Sequence, residues 1–286
     1  MGEHFALLAS FFFALSHVLM RRVLVTSNPI TGAVVSVGIS MVVLWSIVPF
    51  FMSLSSFLNP VVGYFILGGI FAPGLGRALN FVAISRMGVA RAIPLVNISP
   101  MFASILAVFF VGEVWTLQNI IGTSFIVVGV IILSRRGDEE RMQWRRVDLV
   151  YPIMAALAFA IASNVRKIGL TVENVPLLAS TVSSTTSFIF IAAVLQFQGG
   201  RRLIQLSRQG IGWFLVAGTA HTIAMLLTFN ALGYGKVVIV EPLIATNPVL
   251  TIFLTAVFLR DLEAVTSRVA IGACCTVVGT ILLFLL

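Results

Sequence analysis

From Val23 to Gly76 the chain contains no Asp, Glu, Lys or Arg. The same holds for 92–112, 114–134, 149–165, 174–200, 209–235, 242–259 and 269–286. A helix that crosses a bilayer needs roughly 20 mainly apolar residues, and these runs supply that length repeatedly. A soluble domain carries about 25% charged residues. This chain carries 10%, with 59% hydrophobic residues and a mean hydropathy of +1.09. Its solvent is lipid. Only helices and closed barrels satisfy every backbone group there, and the runs lack the period-two alternation of barrel strands. The sequence predicts ten helices over 4–24, 30–52, 60–84, 88–110, 116–134, 149–169, 176–197, 211–233, 237–259 and 267–286. Residues 5–20 read as a retained first helix and not a signal peptide, because Glu3 and His4 stand where a basic leader would.

The net charge is +8, and 16 of the 18 basic residues are arginine. Nucleic-acid binding is not expected, since that needs a basic face with a recognition element or stacking aromatics. These arginines fall in short loops between apolar runs, where they anchor to lipid headgroups. The two cysteines, Cys274 and Cys275, are adjacent inside an apolar run and read as small packing residues. No metal-ligand spacing, nucleophile elbow or phosphate loop is present, so no cofactor, metal or catalytic residue is expected and the chain does not read as an enzyme.

The two halves repeat. Phe13-Ala14-Leu15 matches Phe159-Ala160-Ile161 at a shift of 146, which also places Arg21 on Lys167. Pro29 matches Pro176 at 147. Phe81, Ala83, Val89, Pro94, Leu95 and Pro100 match Phe229, Ala231, Val237, Pro242, Leu243 and Pro248 at 148. Gly122 and Gly129 match Gly272 and Gly279 at 150. The domains expected are a first repeat over 1–134, a charged linker over 135–148 and a second repeat over 149–286. Five helices per repeat is odd, so the second repeat must cross the membrane inverted relative to the first. The fold class expected is therefore all-α integral membrane, with ten transmembrane helices as two inverted five-helix repeats. In transporters of this architecture substrate binds at the repeat interface, among interrupted helices. Pro94 and Pro100, with Pro242 and Pro248, mark such interruptions in helices four and nine. Each frees a backbone carbonyl, either for a site or merely for a packing kink.

Ser99-Pro100-Met101-Phe102, Val111-Gly112-Glu113, Gly122 and Gly129 together resemble the EamA-type repeat of the drug/metabolite transporter superfamily. The second copy shows Glu241-Pro242, Asn247-Pro248, an acidic pair at Asp261 and Glu263, then Gly272 and Gly279. The resemblance covers essentially the whole chain as two tandem repeats. It implies a ten-helix carrier that exports or exchanges amino acids, nucleosides or other small metabolites. The mate of Glu113 is Asp261 by distance from the proline and Glu263 by distance to the glycine. These acids, at helix ends, are expected to cap or anchor them.

Few polar groups lie inside the spans, and they head the list of site residues. Arg77 costs about 2.5–3.5 kcal/mol to insert at mid-membrane, so it must face a cavity, find a partner or snorkel to an interface. Its planar fork suits a carboxylate or phosphate. Asn80, three residues on, shares its helical face. His221 falls opposite Pro73 at the repeat shift, one turn before Arg77, and either lines the same cavity or bonds a backbone carbonyl. His17 and Asn164 are further cavity candidates. Glu241 either carries a coupling proton or caps helix nine.

The function expected is a secondary carrier of a small metabolite such as an amino acid or other carboxylate-bearing solute, in contact with membrane lipid. The alternative is a non-transporting scaffold or partner subunit that keeps the fold. The location expected is a cell membrane, the inner membrane of a bacterium, with both termini on one side. Fourteen Lys and Arg fall in the loops opposite the termini, against Arg166, Lys167 and Lys236 on the termini's side. The excess of basic residues in cytoplasmic loops then puts the termini outside, whereas the resemblance implies cytoplasmic termini.

Overall fold

A computed structural model of the chain describes residues 1–24, 27–87, 92, 95–134, 145–198, 200, 204–205, 210–258 and 267–284. Among these every regular element is helical. In the first half they are α1 (Gly2–Leu24), α2 (Pro29–Phe51), α3 (Val62–Gly69), α4 (Gly76–Met87), α5 (Ser99–Leu106) and α6 (Leu117–Ser134). In the second they are α7 (Val150–Val172), α8 (Pro176–Gln198), α9 (Ile211–Tyr234), α10 (Val237–Ile244), α11 (Asn247–Phe258) and α12 (Ser267–Phe284). Six segments are long and apolar enough to span: Gly2–Met20, Ile30–Phe51, Val62–Asn80, Arg146–Val172, Pro176–Phe197 and Ile211–Tyr234. Shorter apolar helices cover Ser99–Val111, Leu117–Ile132, Val237–Thr251 and Ile271–Leu283.

Burial follows the logic of lipid and not of water. Large apolar side chains such as Phe51, Leu58, Phe109 and Phe197 point outward. The interior is rich in Ala, Gly, Ser and Thr, which let backbones approach where no hydrophobic effect drives association. Helix α8 shows the pattern. Its Ser180, Thr181, Ser183, Ser184 and Ser187 are all buried, and their hydroxyls mostly donate to carbonyls one turn back. Ser183 and Ser187 also donate to Phe65 O at 2.9 Å and Gly69 O at 2.8 Å, which ties α8 to α3.

Most packing joins one half to the other: α1 on α9, α6 on α12, α2 on α8, and α3 on α7. Exchanging the repeats maps this pattern onto itself. Glycines fix the direction of one pair. A Cβ on Gly122 would meet Gly279 O at 3.1 Å, and one on Gly129 would meet Gly272 O at 2.6 Å. The sequence equates Gly122 with Gly272 and Gly129 with Gly279, yet each touches the other's mate. Helices α6 and α12, equivalent in the repeat, therefore run antiparallel. Gly129→Val is expected to cost about 1–3 kcal/mol by overpacking this seam, read as a lowered midpoint of thermal unfolding in detergent. An unchanged midpoint would show that the seam can open.

The interruptions fall at matched places. Helices α10 and α11 are separated by a turn at Ala245–Thr246, and α5 follows a turn at Asn97–Ile98, 148 residues earlier. Pro94 lies outside the described residues. Pro100, Pro242 and Pro248 sit beside these turns. At the second break Thr246 Oγ1 donates to Leu243 O at 2.7 Å, and Asn247 Nδ2 to Ile244 O at 3.0 Å. Local side chains thus satisfy that break.

Two expectations need correction. Helix three, expected over 60–84, is divided: a π turn spans Ile70–Leu75, Ala72 within it is extended (φ −148°, ψ 131°), and helical backbone resumes past Ala72 and runs on into α4. Pro73 cannot donate to the turn before it, and α9, its mate in the other repeat, has no proline there and stays whole. Arg166, counted with the charges on the termini's side, instead reaches inward from α7 into that break. Its guanidinium donates to Gly68 O at 3.2 Å and to Ala72 O.

Candidate functional site

Arg77 is the second residue of α4 and stands about one turn past the extended Ala72. It lines a cavity of about 270 Å³ between α2, α4 and α8. Its guanidinium has no hydrogen-bond or ion-pair partner among the described residues. His17 from α1 and His221 from α9 lie close enough to act on it and on each other electrostatically. Phe13 sits with both imidazoles, its ring centroid 6.5 Å from that of His17 and 5.4 Å from that of His221. His221 donates to no backbone carbonyl among the described residues. Asn80, a turn beyond Arg77, has a buried Oδ1 with no partner. Arg77, Asn80, His17 and His221 thus belong to one neighbourhood, built by α1 and α4 of one half and α9 of the other.

The remaining predicted residues lie elsewhere. Asn164 donates to Ala103 O at 3.0 Å and Ala160 O at 2.9 Å, so it fastens α7 to α5, while its Oδ1 is buried and unpartnered. Glu241 lies inside α10 and accepts from Ser163 Oγ, with Arg166 near enough to act on it. It does not cap helix nine. That role belongs to Glu113, whose two oxygens accept from Val237 N at 2.8 Å and Val238 N at 3.0 Å. Asp261 and Glu263 lie outside the described residues.

A scan against family models finds two consecutive copies of one family, described as EamA-like transporter family, over residues 1–135 and 149–285. The chain belongs to the EamA-like transporter family. It is therefore a multi-pass membrane protein of a transporter family. A solved crystal structure superimposes on this EamA-like chain with a TM-score of 0.78, covering 98% of it and 97% of the other chain at 17% identity. At that identity the likeness speaks for the fold alone. No curated protein matches.

The EamA-like chain also holds a second polar cluster that the sequence did not single out. Arg166 strings together the broken helix of the first half, Glu241 of α10, and the Phe229 ring, 5.1 Å from its guanidinium carbon. Its neighbour Lys167 points away and donates to Leu232 O and Gly235 O, each at 2.8 Å, which closes the C-terminus of α9. One clue was legible. At the shift of 146 His17 falls on Ser163, so the polar face of α1 had a counterpart in α7 beside Arg166.

Loops gather at two ends of the bundle. At one end Ser27 Oγ donates to Gln205 O at 2.7 Å, and Arg86 pairs with Asp148 at 3.2 Å. At the other, Asn59 donates to Glu173 and Gly2 packs on Gly235. The described segments at Ser27, Arg86, Asp148 and Gln205 thus share one end, and the N-terminus lies at the other.

Proposed function

We propose that this EamA-like chain is a secondary carrier, an exporter or exchanger of a small carboxylate-bearing metabolite. It crosses the membrane ten times, as two inverted five-helix repeats that rock to expose one site alternately to either side. The observation that carries this reading is Arg77, whose guanidinium lines a cavity, has no protein partner among the described residues, and lies within electrostatic reach of histidines from both halves. A fixed structural arginine would be paired, because an unpaired charge in lipid is costly. The antiparallel crossing of α6 and α12 supports the inversion. No catalytic step belongs to this reading.

The test needs no identified substrate. In a chain carrying Cys274→Ser and Cys275→Ser, Ala78→Cys places a thiol on the cavity. Membrane-impermeant maleimide is expected to modify it from either face of reconstituted vesicles. Reaction from one face alone would favour a static scaffold.

Proton coupling through Glu241 belongs to the same proposal, because this carboxylate sits between Ser163 and Arg166 at an interrupted helix. Glu241→Gln is expected to remove any dependence of transport on a pH gradient while leaving exchange intact. A variant with wild-type pH dependence would end that role. For sidedness, moving Arg166 inside leaves fourteen loop cations against Lys167 and Lys236, so both termini are assigned to the non-cytoplasmic side. A reporter that matures only in the cytoplasm, fused after Leu286, is expected to stay dark.

A further inference from the structure

The cavity beside Arg77 has a lopsided chemistry. Its walls are Ile30 and Ala33 of α2, Leu79 of α4, and Phe190, Ile191 and Val194 of α8. Among the described lining residues Arg77 is the one that is charged. The other titratable groups that act with it are His17 and His221, and neither is an anion. No carboxylate acts on Arg77 among the described residues. Glu241 is engaged with Ser163 and Arg166.

A zwitterionic amino acid would bring its carboxylate to Arg77 and bury its ammonium against apolar walls. An ammonium left there without a counter-charge is expensive. A solute that carries one negative charge and an apolar body suits Arg77 and the apolar walls, and Asn80 is not among the residues that line this cavity. We infer that the cavity binds an organic monocarboxylate without an ammonium group, in preference to an amino acid. This names the substrate class of the carrier proposed above and rests on that reading. At about 30 Å³ per water, a volume of about 270 Å³ holds a solute on the order of ten heavy atoms. A dianionic phosphate ester would carry more charge than a single guanidinium offsets.

Three probes of one carbon skeleton separate the terms: 4-methylpentanoate, its amide, and leucine, which is the same acid with an α-ammonium. Binding to the purified full-length protein in detergent is read from quenching of its tryptophans and from the thermal midpoint. Neither readout requires transport, so a failed carrier assay and a failed binding assay are distinguishable. The acid is expected to bind at least ten-fold tighter than leucine and than the amide. Arg77→Gln is expected to erase that preference. Ala78→Leu, which fills the cavity and keeps the charge, is expected to weaken the acid at least ten-fold, so the result does not hang on one variant. Longer n-alkanoates distinguish the source. Affinity that levels off near ten heavy atoms assigns a soluble solute, and affinity that keeps rising assigns a carboxylate drawn from lipid. Leucine binding as tightly as the acid would overturn the inference, as would both variants binding like the wild type.

Discussion

Arg77→Ala is expected to lower transport at least 100-fold while leaving a folded, monodisperse protein. The two halves of this expectation have one cause. Arg77 makes no hydrogen bond or ion pair with the described protein, so its removal deprives no internal acceptor of a partner. The fold even sheds a residue that costs about 2.5–3.5 kcal/mol to insert, so the thermal midpoint should hold or rise. The solute loses a bidentate, charge-assisted pair. Each such hydrogen bond contributes about 1.5–3 kcal/mol, and two of them amount to a factor of 100 or more. Initial rates in reconstituted vesicles, beside a melting curve of the same preparation, check both halves. Wild-type transport by Arg77→Ala would mean that the guanidinium only decorates the cavity. A collapsed melting curve would mean that it holds the fold.

Arg166→Leu is expected to behave in the opposite way. This arginine donates to Gly68 O and Ala72 O within the broken helix and stands beside Glu241 and over Phe229. Removing it takes a donor from two carbonyls and leaves the Glu241 carboxylate, still bonded to Ser163, without the cation that acts on it. Breaking a buried charged pair costs about 3–5 kcal/mol, although hydrogen bonds within membranes average only about 0.6 kcal/mol. A loss of roughly 3 kcal/mol is expected, because charge as well as hydrogen bonding is forfeited. Urea or thermal unfolding in detergent should show it. Coupling to Glu241 gives a sharper check. In the Glu241→Gln background the same substitution should cost less, since no charge is left stranded. Equal losses in both backgrounds would show that Arg166 serves only the carbonyls. Two arginines within apolar helices are thus expected to part company, one proposed to serve the solute and one the fold.

The division between them was only partly legible in the sequence. Runs without charge require a bilayer, and the drifting repeat shift marks a duplicated chain, because both are properties of the whole pattern. Pro100, Pro242 and Pro248 flank the breaks of helices four and nine because a missing N–H acts locally. The break in helix three was harder to see. Pro73 has no proline mate in α9, where His221 stands instead, and only that asymmetry pointed to it. Arg166 was counted with the charges on the termini's side because Lys167 beside it looks like an interfacial partner. Adjacent residues on a helix point about 100° apart, so one reaches the end of α9 while the other enters the core. The cap that Glu113 places on α10 joins residues 124 apart, and no local pattern encodes such a contact. The meeting of His17, His221 and Arg77 depends likewise on α1 packing against α9. The sequence aligned two of the three through the repeat shift, but the third came only with the fold.

Counterflow in reconstituted vesicles tests the central claim most directly. Vesicles holding the full-length chain are loaded with unlabelled solute and diluted into a trace of the labelled one, across a panel of organic acids, amino acids and nucleosides. The account predicts transient, saturable accumulation of label for at least one carboxylate, absent from empty vesicles and from those holding Arg77→Ala. A panel without counterflow, from protein that is folded and inserted, would contradict it.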